Sequence, residues 1–271
     1  MRGTQSTMRF NNTILKNASN YIIEDYQGQS ICNEINKFFL SEFCNINFDY
    51  NLNIIIVSDT TYWGQVKFKN NNIENVQLRI ELFKDFLVKD LSDSEKEKIR
   101  NVRNNTLQHE LIHIRNRVQY KLKQMDAPKT DDEIEEMISQ IIIDEYLAVY
   151  ESGIKFKPLE IYTEETFVEN CKKILDKDTH IIQKGVEIAY KAATLIAYKH
   201  VDKYNKDYKL SNEYHQIEFL FKINISTICN MMIKDMSEVL LTCKEDNLSV
   251  TSTNLKHSLK YLLHIITHNE I

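Results

Sequence analysis

The chain has only five glycines and two prolines among its 271 residues, about 3% where an average protein carries roughly 12%. These residues supply the tight turns of barrels and sandwiches and the glycine-rich loops of dinucleotide-binding folds. Because they are so scarce, we exclude those folds and predict a mostly helical chain.

The composition is that of an ordinary globular protein, with 42% hydrophobic and 27% charged residues. No apolar run reaches the roughly 18 to 20 residues of a membrane span, and the N-terminus lacks the apolar core of a signal peptide. We therefore expect a cytoplasmic protein without membrane association. The formal net charge of −5 and the absence of a basic half argue against a nucleic-acid partner. The five cysteines lack CxxC spacing, which indicates reduced thiols.

The β-structure predicted from the pattern lies between about residues 50 and 83. Residues 53–57 form a β-branched run, residues 62–68 follow, and residues 75–82 alternate between apolar and polar side chains. Three asparagines at positions 70–72 favour a hairpin turn between the last two runs. We predict a small antiparallel sheet confined to this region.

Two long helices are predicted in the middle of the chain. Ser92 and Glu95 fit a capping box that opens a helix running to about Lys123. Thr130, with a glutamate three residues later, opens a second helix, and Gly153 is expected to follow its last turn as the C′ residue.

The two ends of the chain are also predicted to be helical. The spacing of apolar residues from about Ile14 to Cys44 indicates one or two helices, and the chain from Thr163 onward indicates helices with brief interruptions. The predicted fold class is therefore α+β and predominantly helical. We divide it into a domain over residues 1–157 and an all-helical domain over residues 158–271.

The chemistry of the chain is carried by an HExxH motif at His109, Glu110 and His113. Histidines four residues apart project from one face of a helix, so their imidazole nitrogens can converge on one Zn²⁺. The intervening glutamate then lies beside the metal, where it can act as a general base. The opposing interpretation is that both histidines are ordinary core residues.

A catalytic zinc site that keeps one position open needs a third protein ligand. The metzincin solution requires glycine and histidine where this chain has Asn116 and Gln119, so that class is excluded. In the next helix, Glu145 falls within an apolar stripe that also contains Ala148. A carboxylate on an apolar face needs a partner, and the metal held by the two histidines is the obvious one.

Two other interpretations of this helix remain open. Glu145 could instead form a buried salt bridge with Arg103 or Arg117. Asp144 is a rival ligand, although its position at the edge of the stripe suits it better to accept a hydrogen bond from a ligating histidine.

These residues resemble the gluzincin class of HExxH zinc metallopeptidases. The segment from Asp144 to Ala148 is similar to the Glu-x-x-Ala pattern of the ImmA/IrrE-type peptidases. The resemblance implies a zincin-like core in which His109, His113 and Glu145 bind one zinc ion and Glu110 is the general base. It also implies a protein or peptide substrate.

Such sites usually include a side chain that stabilises the oxyanion. Five residues are candidates, namely Tyr62, Tyr150, His200, Tyr214 and His215. The alternative function is that of a helical regulatory or interaction protein with a structural or non-catalytic metal site. The sequence carries no signal for the oligomeric state.

Overall fold

We describe a computed structural model of the chain. It describes residues 13–15, 25–42, 53–57, 62–69, 72–118, 122, 130–156, 162–179, 181–205, 236–241, 243 and 248–256. Packing divides the chain into two units, residues 1–121 with 151–159 and residues 122–150 with 160–271. The boundary predicted after residue 157 stays a prediction.

The first unit contains a four-stranded sheet. Its strands are β1 (Thr13–Leu15), β2 (Ile54–Val57), β3 (Gly64–Lys69) and β4 (Asn72–Arg79), in the order β1-β2-β4-β3. The predicted hairpin is confirmed, because β3 pairs with β4 in antiparallel orientation. The prediction of a wholly antiparallel sheet is wrong, since β2 runs parallel to both β1 and β4.

The sheet also extends beyond the region in which it was predicted. Strand β1 lies in a segment predicted to be helical, and at three residues it is too short to show an alternating pattern. Helix α1 (Asp25–Glu42) provides the crossover that a parallel β1–β2 pair requires. At the other end, β4 stops at Arg79 rather than at residue 82, and a 3₁₀ turn (Ile80–Phe83) and helix α2 (Lys84–Leu87) follow.

The core of this unit lies between one face of the sheet and two long helices. Alternate residues of β2 and β4 are buried, as strand geometry requires. Helix α1 contributes residues four apart, and α3 (Asp93–Val118) contributes the apolar stripe expected from its sequence. The side chains that are less than 4% exposed in this layer include Ile31, Ile35, Phe39, Ile54, Ile56, Val76, Leu78, Leu107, Leu111 and Ile114.

Both predicted capping boxes are present. The Ser92 backbone N–H donates to Glu95 Oε2 at 2.9 Å, and the Glu95 N–H donates to Ser92 Oγ at 3.3 Å. Thr130 makes the same pair of hydrogen bonds at the start of α4 (Asp131–Lys155). The predicted end of α4 is wrong, because buried Gly153 lies within the helix and the N–H of Phe156 still donates to the carbonyl of Ser152.

All the regular structure described in the second unit is helical. It comprises residues 131–150 of α4, α5 (Glu164–Leu175), α6 (Ile181–Asn205) and helical residues 236–241 and 248–256. Polar side chains link α4 to the last of these segments, where Ser139 Oγ lies 2.8 Å from Ser252 Oγ. The chain is thus α+β and predominantly helical. In the part that the structure describes, no helix is both long and apolar enough to cross a bilayer.

Candidate metal centre

The two histidines of the HExxH motif face each other on α3. His109 Nε2 and His113 Nε2 lie 3.0 Å apart, and their partly buried rings meet edge to face with centroids separated by 4.6 Å. Two imidazoles bound tetrahedrally to one zinc ion would place their nitrogens about 3.3 Å apart, since Zn–N distances are roughly 2.0 to 2.1 Å. The observed separation is close to that value.

The structure brings Glu145 to the same place. One ligand atom from each of His109, His113 and Glu145 lies within 4.8 Å of the other two. The Glu145 side chain is buried, at 3% exposure. Its Oε1 lies 3.0 Å from Thr194 Oγ1 of α6, whose single hydroxyl hydrogen is shared with the Tyr190 carbonyl at the same distance, and this contact orients the carboxylate. The three predicted ligands therefore form one cluster that could hold a metal ion.

The last turn of α4 is attached near the motif on α3. Glu151 accepts two hydrogen bonds from the Arg115 guanidinium, both at 2.7 Å, and this bidentate geometry fixes both side chains. Arg115 follows His113 by two residues, and Glu151 follows Glu145 by six, or about 9 Å along the helix. Helix α4 is continuous over these residues.

Glu110 is buried at 3% exposure and lies against the start of β3. A Cβ atom added to Gly64 would come within 2.8 Å of both Glu110 Cγ and Glu110 Oε1, and within 2.7 Å of Thr106 Cγ2. Only glycine allows this close approach. Strand β3 is also an edge strand of the described sheet, so the general-base candidate lies beside a sheet edge.

The alternative salt bridge between Arg103 and Glu145 is wrong. The Arg103 guanidinium instead pairs with Asp85 at 2.6 Å and with Glu34 at 3.2 Å. The Arg117 guanidinium carbon lies 4.6 Å from the centre of the Phe68 ring, and its salt bridge with Glu145 stays a prediction.

Asp144 is 8% exposed on α4. Its role as a hydrogen-bond acceptor for a ligating histidine stays a prediction.

His200 is a core residue rather than a free oxyanion donor. Its Nδ1 lies 2.9 Å from the Tyr146 hydroxyl, and its Nε2 lies 2.9 Å from Ser237 Oγ. Tyr150 stacks on the Tyr146 ring with centroids 5.5 Å apart. Both ring nitrogens of His200 are therefore already engaged within the second unit.

The remaining oxyanion candidates differ in what the structure shows of them. Tyr62 is 53% exposed and lies two residues before Gly64, while Tyr214 and His215 lie outside the described residues. Two contacts that support the site were not predicted from the sequence, namely the contact of Gly64 with Glu110 and the hydrogen bond from Thr194 to Glu145. The rarity of glycine was the only signal for the first contact, and no local pattern indicated the second.

Comparisons of the chain with protein-family models, curated proteins and solved structures found no match. The resemblance to gluzincins accordingly stays a prediction from the HExxH motif and the segment from Asp144 to Ala148.

Proposed function

We propose that the protein is a zinc-dependent endopeptidase with a zincin-like core. The observation that carries the proposal is the clustering of His109, His113 and Glu145 around one point. Two imidazole nitrogens and one carboxylate oxygen form the donor set of a catalytic zinc with three protein ligands, and this set leaves a fourth position for water or substrate. The residues present therefore fit Zn²⁺.

Glu110 supplies the general base. When bound, zinc lowers the pKa of water to near 7 and polarises a substrate carbonyl. Glu110 accepts a proton from the attacking water, whose oxygen bonds to the carbonyl carbon of the substrate. Glu110 then returns that proton to the leaving amine as the C–N bond breaks. The packing of β3 at Gly64 against Glu110 holds the carboxylate in place.

The first experiment measures metal content. Protein purified without chelator is analysed by inductively coupled plasma mass spectrometry, and about one zinc ion per chain is expected. His109→Ala and Glu145→Ala should lose the zinc, whereas Glu97→Gln, an exposed change on the same helix, should retain it. Natively folded wild-type protein that contains no zinc and binds none on titration contradicts the proposal.

The second experiment separates catalysis from metal binding. Cleavage of unfolded casein and of a pooled fluorogenic peptide library is compared for the wild type, Glu110→Gln and Glu97→Gln. Glu110→Gln should retain zinc and lose cleavage by at least 10²-fold, the lower range for general-base catalysis. Zinc binding with cleavage that does not depend on Glu110 contradicts the mechanism and favours the alternative, a regulatory or interaction protein with a structural metal site.

A further inference from the structure

A second candidate site lies in the first unit, in a cleft with a volume of about 560 Å³. Lys37 of α1, Phe86 of α2 and three cationic residues of α3 line it, namely Lys96, Arg100 and Arg103. A volume of this size is typical of sites for small molecules. None of these residues belongs to the candidate metal centre.

Arg103 lines the cleft, and its side chain is 1% exposed. Its guanidinium pairs with Asp85 and Glu34, the two carboxylates that line the cleft, and also donates to the carbonyl of Leu82 at 3.1 Å. The Arg103 Nε atom is buried and has no hydrogen-bond partner in the described part of the chain. Both carboxylates are thus engaged, while one buried donor remains.

The other three cations of the cleft differ from Arg103, which is paired with two carboxylates. Lys37, Lys96 and Arg100 form no ion pair with any carboxylate that the structure describes. Lys96 and Arg100 are four residues apart on α3, a spacing at which like charges repel and destabilise a helix. With Arg103 included, four cations face two carboxylates, which leaves an excess of two positive charges.

We propose that this cleft binds a small molecule that carries a phosphate group. A phosphate dianion matches the excess of two positive charges, and the guanidinium of Arg100 matches its oxygens in a bidentate geometry. Phe86 is partly buried, and its ring centre lies 5.0 Å from the Arg103 guanidinium carbon. This ring offers an apolar wall to the organic part of an organic phosphate.

The test is titration calorimetry of the full chain at low ionic strength with inorganic phosphate and, separately, with adenosine monophosphate. Lys96→Gln combined with Arg100→Gln should weaken binding at least tenfold, and Lys37→Gln, a change on α1, should weaken it as well. Lys98→Gln is the matched control, because Lys98 lies on the same helix and does not line the cleft. It should leave the affinity unchanged within twofold.

The two probes distinguish the source of the phosphate. Tighter binding of the nucleotide, lost in Phe86→Leu, supports an organic phosphate. Equal binding of both probes supports a phosphate site in which Phe86 plays no part. The proposal is overturned if neither probe binds, or if the double variant, shown to be folded by circular dichroism, binds as tightly as the Lys98→Gln control.

Discussion

The two halves of α3 bury polar side chains in opposite ways. In the first half, the buried guanidinium of Arg103 is compensated by Asp85 and Glu34, two carboxylates that the fold itself supplies. In the second half, His109 and His113 contribute nitrogen lone pairs to a cluster that also contains a carboxylate. The first arrangement pairs a buried cation with carboxylates of the fold, whereas the second is a donor set suited to a cation. Buried polar groups on one helix can therefore serve stability in one place and binding in another.

Arg103→Met tests whether the ion cluster stabilises the first half of α3. Arg103→Met removes the cation and leaves Asp85, with its side chain 8% exposed, without its main partner. Removing one member of a buried ion pair costs about 3 to 5 kcal/mol, so we expect the free energy of unfolding in urea to fall by that amount. Arg100→Gln, an exposed change one turn away, should cost less than about 0.5 kcal/mol.

The second measurement on the Arg103→Met variant is the zinc content of its folded fraction. It should remain near one ion per chain, because none of the metal ligands pairs with Arg103. A loss of stability below about 1 kcal/mol would show that the ion cluster is not the structural element that the geometry indicates.

Gly64→Ala tests the close approach of β3 to Glu110 in the second half of α3. The added methyl group would overlap Thr106 Cγ2 and the Glu110 carboxylate, and overpacking of this kind costs about 1 to 3 kcal/mol. We expect lower stability in urea and slower peptide cleavage, with zinc still bound. Gly28→Ala, within α1, should instead stabilise the protein by about 0.5 to 1 kcal/mol. Wild-type stability and cleavage in Gly64→Ala would contradict the close approach.

Thr194→Val tests whether the donor set depends on its supporting hydrogen bond. The substitution preserves the shape of the side chain and removes the hydroxyl that Glu145 Oε1 shares with the Tyr190 carbonyl. Loss of such supporting contacts typically weakens metal binding by about 10- to 100-fold, which competition with a chelating dye measures. Thr194→Ser should restore most of the affinity. An unchanged zinc affinity in the valine variant would show that Glu145 needs no support from α6.

The features that could be predicted from the sequence are those that depend on neighbouring residues. The HExxH motif, the position of Glu145 on an apolar stripe and the capping boxes each follow from helical spacing over a few turns. The parallel pairing of β2 with β1 and β4 depends on contacts between distant segments, and the short β1 has no period of its own. The contact of Gly64 with Glu110 and the hydrogen bond from Thr194 are likewise tertiary, so no local pattern could reveal them.

Thr130→Ala is expected to have the smallest effect, and it tests whether the two ends of α4 act separately. The hydroxyl of Thr130 caps the helix by accepting from the N–H of Glu133 at 3.3 Å, and loss of such a cap typically costs about 1 kcal/mol. Glu145 lies fifteen residues further on, about 22 Å along the helix. Beyond it, the far end is held by the pair of Glu151 with Arg115. Urea unfolding should therefore show the loss of stability while the zinc affinity stays at the wild-type value. A parallel loss of zinc affinity would mean that the donor set depends on the whole length of α4. Zinc binding and helix stability would then be coupled, and the metal cluster would contribute to stability as the Arg103 cluster does.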